Sequence, residues 1–315
     1  MLSRDILVQQ LPFVLEAVPF DFLSDHYTGK VRDTFRLKQL RIMVTTDRLS
    51  CFDRVVTTVP FKGQVLNNLA HFWFRATSDI VSNHVVAVPD PNVLVARDCQ
   101  ILPVEVVVRA YLTGSAWRDY AAGNLVSGVR IPAGMRQSQR FEVPIVTPST
   151  KEGRGKHDEP ISEQEIISRG LVPGSVWEEV RSVALRLFQR GTEIAARQGL
   201  LLVDTKYEFG IERGQLVLAD EIHTLDSSRF WVAESYHERF ARGESPVMLD
   251  KEPTRQWLLA QGFKGEGPIP HFTDQHRVEI AEHYIASYER ITGAVFEGVG
   301  GDPLPRIEKA LRSLL

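Results

Sequence analysis

Residues 203–226 run Val-Asp-Thr-Lys-Tyr-Glu-Phe-Gly-Ile-Glu-Arg-Gly-Gln-Leu-Val-Leu-Ala-Asp-Glu-Ile-His-Thr-Leu-Asp, and one face of this segment is ionisable throughout. Asp204, Lys206 and Glu208 alternate with Thr205, Tyr207 and Phe209, the period of two of a half-buried strand. The other face, with Tyr207, Phe209, Val217 and Ala219, is apolar. Such a segment must lie on a core with its charged side turned to water or to a ligand. Glu212-Arg213-Gly214 reads as a three-residue hairpin loop, with Gly214 free to take positive φ. That register sets Ile211 opposite Gln215, Glu208 opposite Leu218 and Lys206 opposite Asp220. It brings Asp220 diagonally across from Glu208, about 7–8 Å away. Two carboxylates beside a lysine suit a magnesium-bound polyphosphate: hard oxygens hold the metal and an ammonium offsets phosphate charge. A solvated charged face has the same pattern, and the hairpin alone leaves both readings open.

The rest of the chain narrows the class. Its 315 residues are enough for two domains. The balance of 37 basic against 40 acidic residues gives a net charge of −3, so no electrostatic footprint for nucleic acid or an anionic membrane is expected. Cys51 and Cys99 are too few for a disulfide framework or a structural zinc site. Met-Leu-Ser-Arg-Asp at the start has no apolar run, and no stretch approaches the roughly 18 apolar residues of a membrane helix. A cytoplasmic protein is expected.

Strand patterns lie at 27–37 and 41–47, joined by a polar turn at 38–40, and at 85–88, 93–96 and 104–109. A helix is expected over 62–77, with Val65, Leu69, Phe72 and Trp73 at helical spacing. Residues 127–175 show little periodicity and read as a long irregular region, often a functional one. Ser175 with Glu178 reads as a capping box opening a helix whose apolar stripe ends at Gly199. Helices are expected near 254–262, 274–292 and 304–315. Strands first, then a helix feeding a hairpin, then helices: the order predicts an α+β, two-lobed fold. The expected division is a β-rich lobe at 1–103 and a mixed lobe at 104–315.

Several segments are rich in groups that hold anions. Gly29 in Tyr27-Thr28-Gly29-Lys30-Val31-Arg32-Asp33 lacks a Cβ, so its backbone could approach phosphate oxygens, with Lys30 and Arg32 adding charge; taken alone, the segment is more often a plain turn. The run from Thr45 to Arg54, with Asp47, Arg48, Ser50 and Asp53, opens a strand end into polar groups, or forms an Asx-type turn with surface ion pairs. In Ile101-Leu102-Pro103-Val104-Glu105-Val106-Val107-Val108-Arg109, Glu105 and Arg109 share a strand face. Charges in so apolar a strand require a partner: either each other, or a ligand that Ser115 also meets. Thr147 to Pro160 carries Lys151, Arg154, Lys156 and His157, as in an anion-binding loop or a solvated flexible one. Asp226 and Arg229 suit a zwitterion or a carboxylate, or form a local ion pair. Together, a magnesium pair, several phosphate-suited cations and no nucleophilic triad point to an ATP-dependent enzyme acting on a small acidic substrate.

These residues resemble the SAICAR synthetase family, the phosphoribosylaminoimidazole-succinocarboxamide synthases. Residues 101–115 resemble its Leu-Pro-Val-Glu-x-Val-Val-Arg-x-x-x-Thr-Gly-Ser signature, and 202–210 resemble its second signature. The Gly29–Asp33 turn, the 47–53 run, Lys156-His157-Asp158 and 220–229 match in order and spacing. The length and the insertion-like stretch 127–156 are similar to the longer, yeast-like branch. The resemblance implies a kinase-small-lobe-like N-terminal domain joined to an ATP-grasp-like lobe, although kinase signatures such as Asp-Phe-Gly are absent. It implies a carbon–nitrogen ligase of purine biosynthesis that uses ATP and Mg2+ to condense carboxyaminoimidazole ribotide (CAIR) with L-aspartate, as a monomer or homodimer. Glu208 and Asp220 would ligand magnesium. Gly29, Lys30, Val31, Arg32 and the backbone at Leu102 would meet ATP, and Lys206 and Lys30 would be the catalytic cations. Ser50, Asp53, Arg109, Ser115, Lys156, His157, Asp226 and Arg229 would hold the substrates, Arg109 and Ser115 at the ribotide phosphate. A small-molecule kinase of related fold, or a ligand-binding protein that has lost catalysis, are the rival readings.

Overall fold

The computed structural model describes residues 2–151 and 158–315. Two compact units divide the chain: Met1–Phe74 with His84–Asp98 and Leu249–Leu315, and Arg75–Asn83 with Cys99–Met248. The first contains α1 (Arg4–Gln10), β1 (Ser24–Thr28), β2 (Arg32–Leu37), β3 (Leu40–Thr45), β4 (Arg48–Cys51), β5 (Arg54–Thr58), nearly all of α2 (Lys62–Ala76), β6 (Val85–Asp90) and β7 (Val93–Arg97). The second contains β8 (Gln100–Tyr111), α3 (Gly114–Ala121), β9 (Arg140–Val146), β10 (Ser149–Thr150), α4 (Glu163–Ser168), α5 (Gly174–Arg197), β11 (Leu200–Glu212), β12 (Gln215–Ala219), β13 (Ser228–Val232) and α6 (Ala233–Ala241). The chain then returns to the first unit with α7 (Glu252–Ala260), α8 (Asp274–Thr292) and α9 (Pro303–Arg312). The expected α+β class holds. Among the described residues no helix is long and apolar enough to cross a membrane.

In the first unit an antiparallel sheet has the order β1-β2-β3-β7-β6. Phe35, Ile42, Val44, Val93 and Val95 point to one side of it and are buried against Ile307 and Leu311 of α9. Asp302 caps α9 by accepting from the Leu304 N–H, and Pro303 presets its first turn. This contact corrects the expected division at 103/104. The last helices complete the core of the N-terminal sheet, which has too little apolar cover of its own, and so they group with the first unit.

Asp47 ends β3 from inside. Its buried carboxylate accepts from the Leu15 N–H and from the Gly63 N–H at the start of α2, both at 2.8 Å. Burial raises its pKa from 3.8 to about 6, although those two N–H groups and Lys62 pull the other way. The folded state therefore holds this proton more tightly than the unfolded chain. The stability it lends is complete below about pH 4 and is lost as pH rises through 6. Relative to Asp47→Asn, the wild-type unfolding free energy should fall by roughly 2 kcal/mol between pH 4 and 6.5. Urea titrations across that range measure the gap; a constant gap would contradict the burial.

The second unit is a six-stranded sheet built on β8 and β11, in the order β10-β8-β11-β12, with β9 also on β8 and β13 also on β11. Helix α5 packs on β11 and β8 through Val180, Val183, Ala184, Leu187 and Phe188. It starts at Gly174 behind Pro173, with no side-chain cap, so the expected Ser175–Glu178 capping box is not formed. Pro173, at a φ of −56°, takes the N-cap position two residues ahead of Ser175 and so puts Ser175 inside the helix. The capping box instead opens α4, where Ser162 and Glu165 bond each other's backbone N–H. Gly199, at a φ of 67°, follows the end of α5 as expected. The stretch 127–175 is less irregular than its composition implies, since it supplies β9, β10 and α4.

The β11–β12 hairpin differs from its predicted register by one residue. Glu212 pairs with Gln215, Ile211 with Leu216 and Glu208 with Ala219. The loop is therefore two residues, Arg213 and Gly214, at φ of 50° and 79°. That left-handed pair matches the right-handed strand twist, which favours the shorter loop even though Arg213 is not glycine. Simple alternation would now turn Asp220 to the apolar side. Asp220 itself takes a φ of 61°, and this break in alternation returns its carboxylate to the field of Lys206.

Candidate active site

Antiparallel pairing of β8 with β11 sets Glu105 opposite Glu208, Val107 opposite Lys206, and Arg109 opposite Asp204. Two like charges directly opposed destabilise a sheet unless a cation joins them. Here two do. Lys206 Nζ lies 2.5 Å from Glu105 and 3.4 Å from Glu208. Lys151 Nζ, just beyond β10, lies 2.5 Å from Glu208 and 4.0 Å from Glu105. Both glutamates are buried. Burial pushes the Glu105 carboxyl up to about 7; Lys206 draws it down and Glu208 raises it further. For Lys206, burial acts to lower the pKa, but Glu208, Glu105 and Asp220 outweigh it and hold the ammonium above its ordinary range. Lys206 is thus a fixed positive charge at neutral pH, suited to stabilising anionic phosphate and unsuited to acting as a base.

Farther along the same face, Asp204 gathers two arginines. Its Oδ2 accepts from Arg229 Nη1 at 2.6 Å and Arg109 Nη1 at 3.3 Å. Arg109 also donates to the Thr147 hydroxyl at 2.8 Å and the Ser115 hydroxyl at 3.1 Å. Desolvation lowers the Arg109 pKa, opposed chiefly by Asp204. The Glu105–Arg109 pair entertained from sequence does not form; each residue pairs across the strands instead. Gly114, at a φ of 60°, precedes Ser115, and a Cβ there would sit 2.7 Å from Arg229 Nη2. The Thr-Gly-Ser turn needs its glycine both for its backbone and to let this guanidinium pass.

In the first unit, Gly29, Lys30 and Val31 form the turn between β1 and β2, which the strand pattern had read as one strand over 27–37. Arg48 braces this turn. Its guanidinium donates to the carbonyls of Gly29 at 2.9 Å, Lys30 at 3.2 Å and Glu16 at 2.5 Å, and to Asp33 at 2.6 Å. Val31 contributes its carbonyl to the Thr46 N–H and hydroxyl. Arg48, buried and committed to four internal acceptors, is a structural brace, not the anion ligand that its arginine chemistry allowed from sequence. Lys30 projects outward, and its ammonium meets Asp53 at 2.5 Å with both side chains 56% exposed.

The expected site residues therefore fall into three groups. Lys206, Glu208 and Asp220 converge; Arg109, Ser115 and Arg229 converge; Gly29, Lys30 and Asp53 converge. Arg32 begins β2, Ser50 is buried in β4 and Leu102 is buried in β8. Asp226 lies half-buried on the loop into β13, its N–H donating to the Thr224 hydroxyl. Lys156 and His157 lie outside the described residues. Sequence reasoning missed Glu105 as the partner of Glu208, Lys151 as the second bridging cation, and Asp204 as the shared acceptor of two arginines. The signal for Glu105 was present: its parity with Arg109 put it on the same face.

A family model described as SAICAR synthetase matches residues 25–268. The phosphoribosylaminoimidazole-succinocarboxamide synthase of Legionella pneumophila (strain Lens) is 47% identical over 294 residues, covering 91% of this chain and 93% of that protein. The chain belongs to the SAICAR synthetase family. Among solved structures, the SAICAR synthase of Saccharomyces cerevisiae complexed with SAICAR is similar with a TM-score of 0.79 and 32% identity, over 90% of this chain and all of that one. A type-2 SAICAR synthetase in complex with ADP gives 0.66 and 25% identity, over 87% and 100%. Of the two segments that resemble the family's signatures, 101–115 covers most of β8 and the start of α3, and 202–210 lies within β11. They are a hundred residues apart in sequence but are adjacent strands, and the charges of each signature find their partners in the other.

Magnesium is the metal implied by a family that handles ATP. Among the described residues, no group of three His, Cys, Asp or Glu side chains is placed to hold a metal alone. The donors near Lys206 are nonetheless all carboxylate oxygens, from Glu105, Glu208 and Asp220. That chemistry fits Mg2+, which takes one or two protein carboxylates and completes its shell with waters and substrate phosphates.

Proposed function

We infer that the chain is an ATP-dependent carbon–nitrogen ligase that joins the carboxylate of CAIR to the amine of L-aspartate, giving SAICAR, ADP and phosphate in purine biosynthesis. One observation supports it most: 47% identity to a phosphoribosylaminoimidazole-succinocarboxamide synthase across 91% of the chain. The residue clusters are of the kind this reaction needs. A carboxylate is a poor acyl donor at neutral pH, so it must first be activated. In the proposed route a carboxylate oxygen of CAIR attacks the γ-phosphorus of ATP. The bond from that phosphorus to the bridging oxygen breaks, and ADP leaves with the electron pair. The aspartate amine, having lost its ammonium proton, then attacks the acyl carbon. The carbon–oxygen bond breaks, phosphate departs with that oxygen, and the nitrogen releases a second proton.

No side chain forms a covalent bond in this scheme, so the chain acts by positioning and by charge. Lys206 and Lys151 offset the negative charge of the phosphoryl group in transit. Glu208 and Asp220 are the proposed magnesium ligands; bound there, the ion would neutralise and orient phosphate oxygens. Lys30 and the Gly29 backbone are the proposed phosphate contacts of the first unit, with Val31, Arg32 and the Leu102 backbone toward the nucleotide. Arg229, Arg109 and Ser115, ordered by Asp204, are the proposed anchor for the ribotide phosphate. Asp226 is the proposed neighbour of the imidazole, together with Arg229, and Ser50 and Asp53 are further proposed substrate contacts.

A coupled assay should show ADP release that requires CAIR and aspartate together. Oxygen-18 placed in the CAIR carboxylate should appear in the released phosphate. Unlabelled phosphate would rule out the acyl-phosphate route, and ADP release without aspartate would favour a kinase.

A further inference from the structure

The β4–β5 hairpin carries an unusual turn. Cys51 pairs with Arg54, so Phe52 and Asp53 alone make the loop, at φ of 53° and 60°. A left-handed pair suits a two-residue hairpin, but the positions favour glycine or asparagine, and phenylalanine is a poor occupant. Such a conformation persists only where surrounding contacts enforce it. The segment from α7 to the start of α8 provides them. The Arg255 guanidinium lies 4.8 Å from the Phe52 ring centroid, and Phe263 meets that ring edge-on at 6.0 Å. Gly265 comes so near that a Cβ on it would be 3.0 Å from Phe52 Cβ. Arg54, on the other side of the turn, donates to the Gly265 carbonyl at 3.3 Å and the Gly267 carbonyl at 2.7 Å, and lies 5.5 Å from the Phe263 ring. What the clasped turn presents is Asp53, and Asp53 holds Lys30.

We propose that Phe52 is a positioning residue: gripped by Arg255 and Phe263, it fixes the left-handed turn that holds the Asp53 carboxylate on the Lys30 ammonium, so that Lys30 is presented ready for a nucleotide phosphate. This rests on the proposed role of Lys30 as a phosphate contact and adds a function for residues 255–267, far along the chain from the turn they hold. The exposed Lys30–Asp53 pair would be too weak to order both side chains unaided. With the turn clasped, one partner is already fixed, and the long lysine side chain loses its freedom before the nucleotide arrives.

The test is a double-mutant cycle between Phe52→Ala and Asp53→Asn, read by Kd for the fluorescent nucleotide TNP-ATP and by KM for ATP and CAIR. Phe52→Ala should weaken TNP-ATP binding and raise KM for ATP about fivefold, while KM for CAIR stays within about twofold. Phe52→Tyr, which keeps the ring, should restore the wild-type values. In the Asp53→Asn background the same Phe52→Ala change should have no further effect. An equal loss in both backgrounds, or a lowered melting temperature with unchanged nucleotide affinity, would overturn the proposal. A wild-type protein whose TNP-ATP binding depends on Phe52 but which makes no SAICAR would sink the ligase reading and leave this inference standing.

Discussion

Asp204→Ala is expected to lower kcat/KM for CAIR about a hundredfold and to destabilise the protein by roughly 3–5 kcal/mol. The buried Asp204 carboxylate is the shared acceptor of Arg109 and Arg229. Without it, two guanidiniums face each other with no counter-charge, and Arg109, itself buried, cannot turn to water for relief. Arg229 has more solvent to move into, which is why the loss should fall first on its aim and therefore on substrate capture. Thermal melting and steady-state kinetics with CAIR varied would measure the two effects. Catalytic efficiency within threefold of wild type would mean that the arginine pair does not hold the ribotide.

Asp220→Asn should separate chemistry from folding in the opposite sense. A fall in kcat of about 10²–10³ is expected, with little change in melting temperature. Asparagine is the right probe because it tolerates the left-handed backbone that Asp220 adopts at φ 61°, so the turn survives while the charge is lost. The residue is half-buried at the end of β12 and is not part of the core, so its replacement leaves no cavity. A rate within threefold of wild type would exclude Asp220 from the metal site. Melting temperature loss comparable to that of Asp204→Ala would mean that Asp220 serves the fold instead.

Much of this site was legible from local pattern. The alternation of Asp204, Lys206 and Glu208 fixed which side chains share a face, and the same rule placed Glu105 with Arg109. The two signature segments then named the family. Partnership was less legible. On one strand Glu105 and Arg109 are four residues apart, about 13 Å, whereas residues paired across strands lie about 5 Å apart. Their partners therefore lie on β11, Asp204 directly opposite Arg109 and Lys206 diagonally across from Glu105, and no spacing within 101–115 states that. The hairpin register failed by one residue because Arg213 occupies a left-handed position that sequence assigns to glycine or asparagine. The Ser175–Glu178 capping box failed because Pro173 began the helix earlier, while the box at Ser162–Glu165 was written in the sequence and overlooked.

The sequence by itself determined the faces of β8 and β11, the α+β class, the family and the charge types gathered on those two strands. These follow from periodicity and residue chemistry, which act over a few residues. Only the tertiary structure decided that Glu105 completes the Glu208 site, that Asp204 commands both arginines, that α9 closes the N-terminal core and that residues 255–267 clasp the Phe52–Asp53 turn. Each of those is a contact between segments far apart in the chain. Its energy depends on which surfaces are left to be buried and which charges are left to be paired once the strands have found their register, and neither quantity exists until the chain has folded.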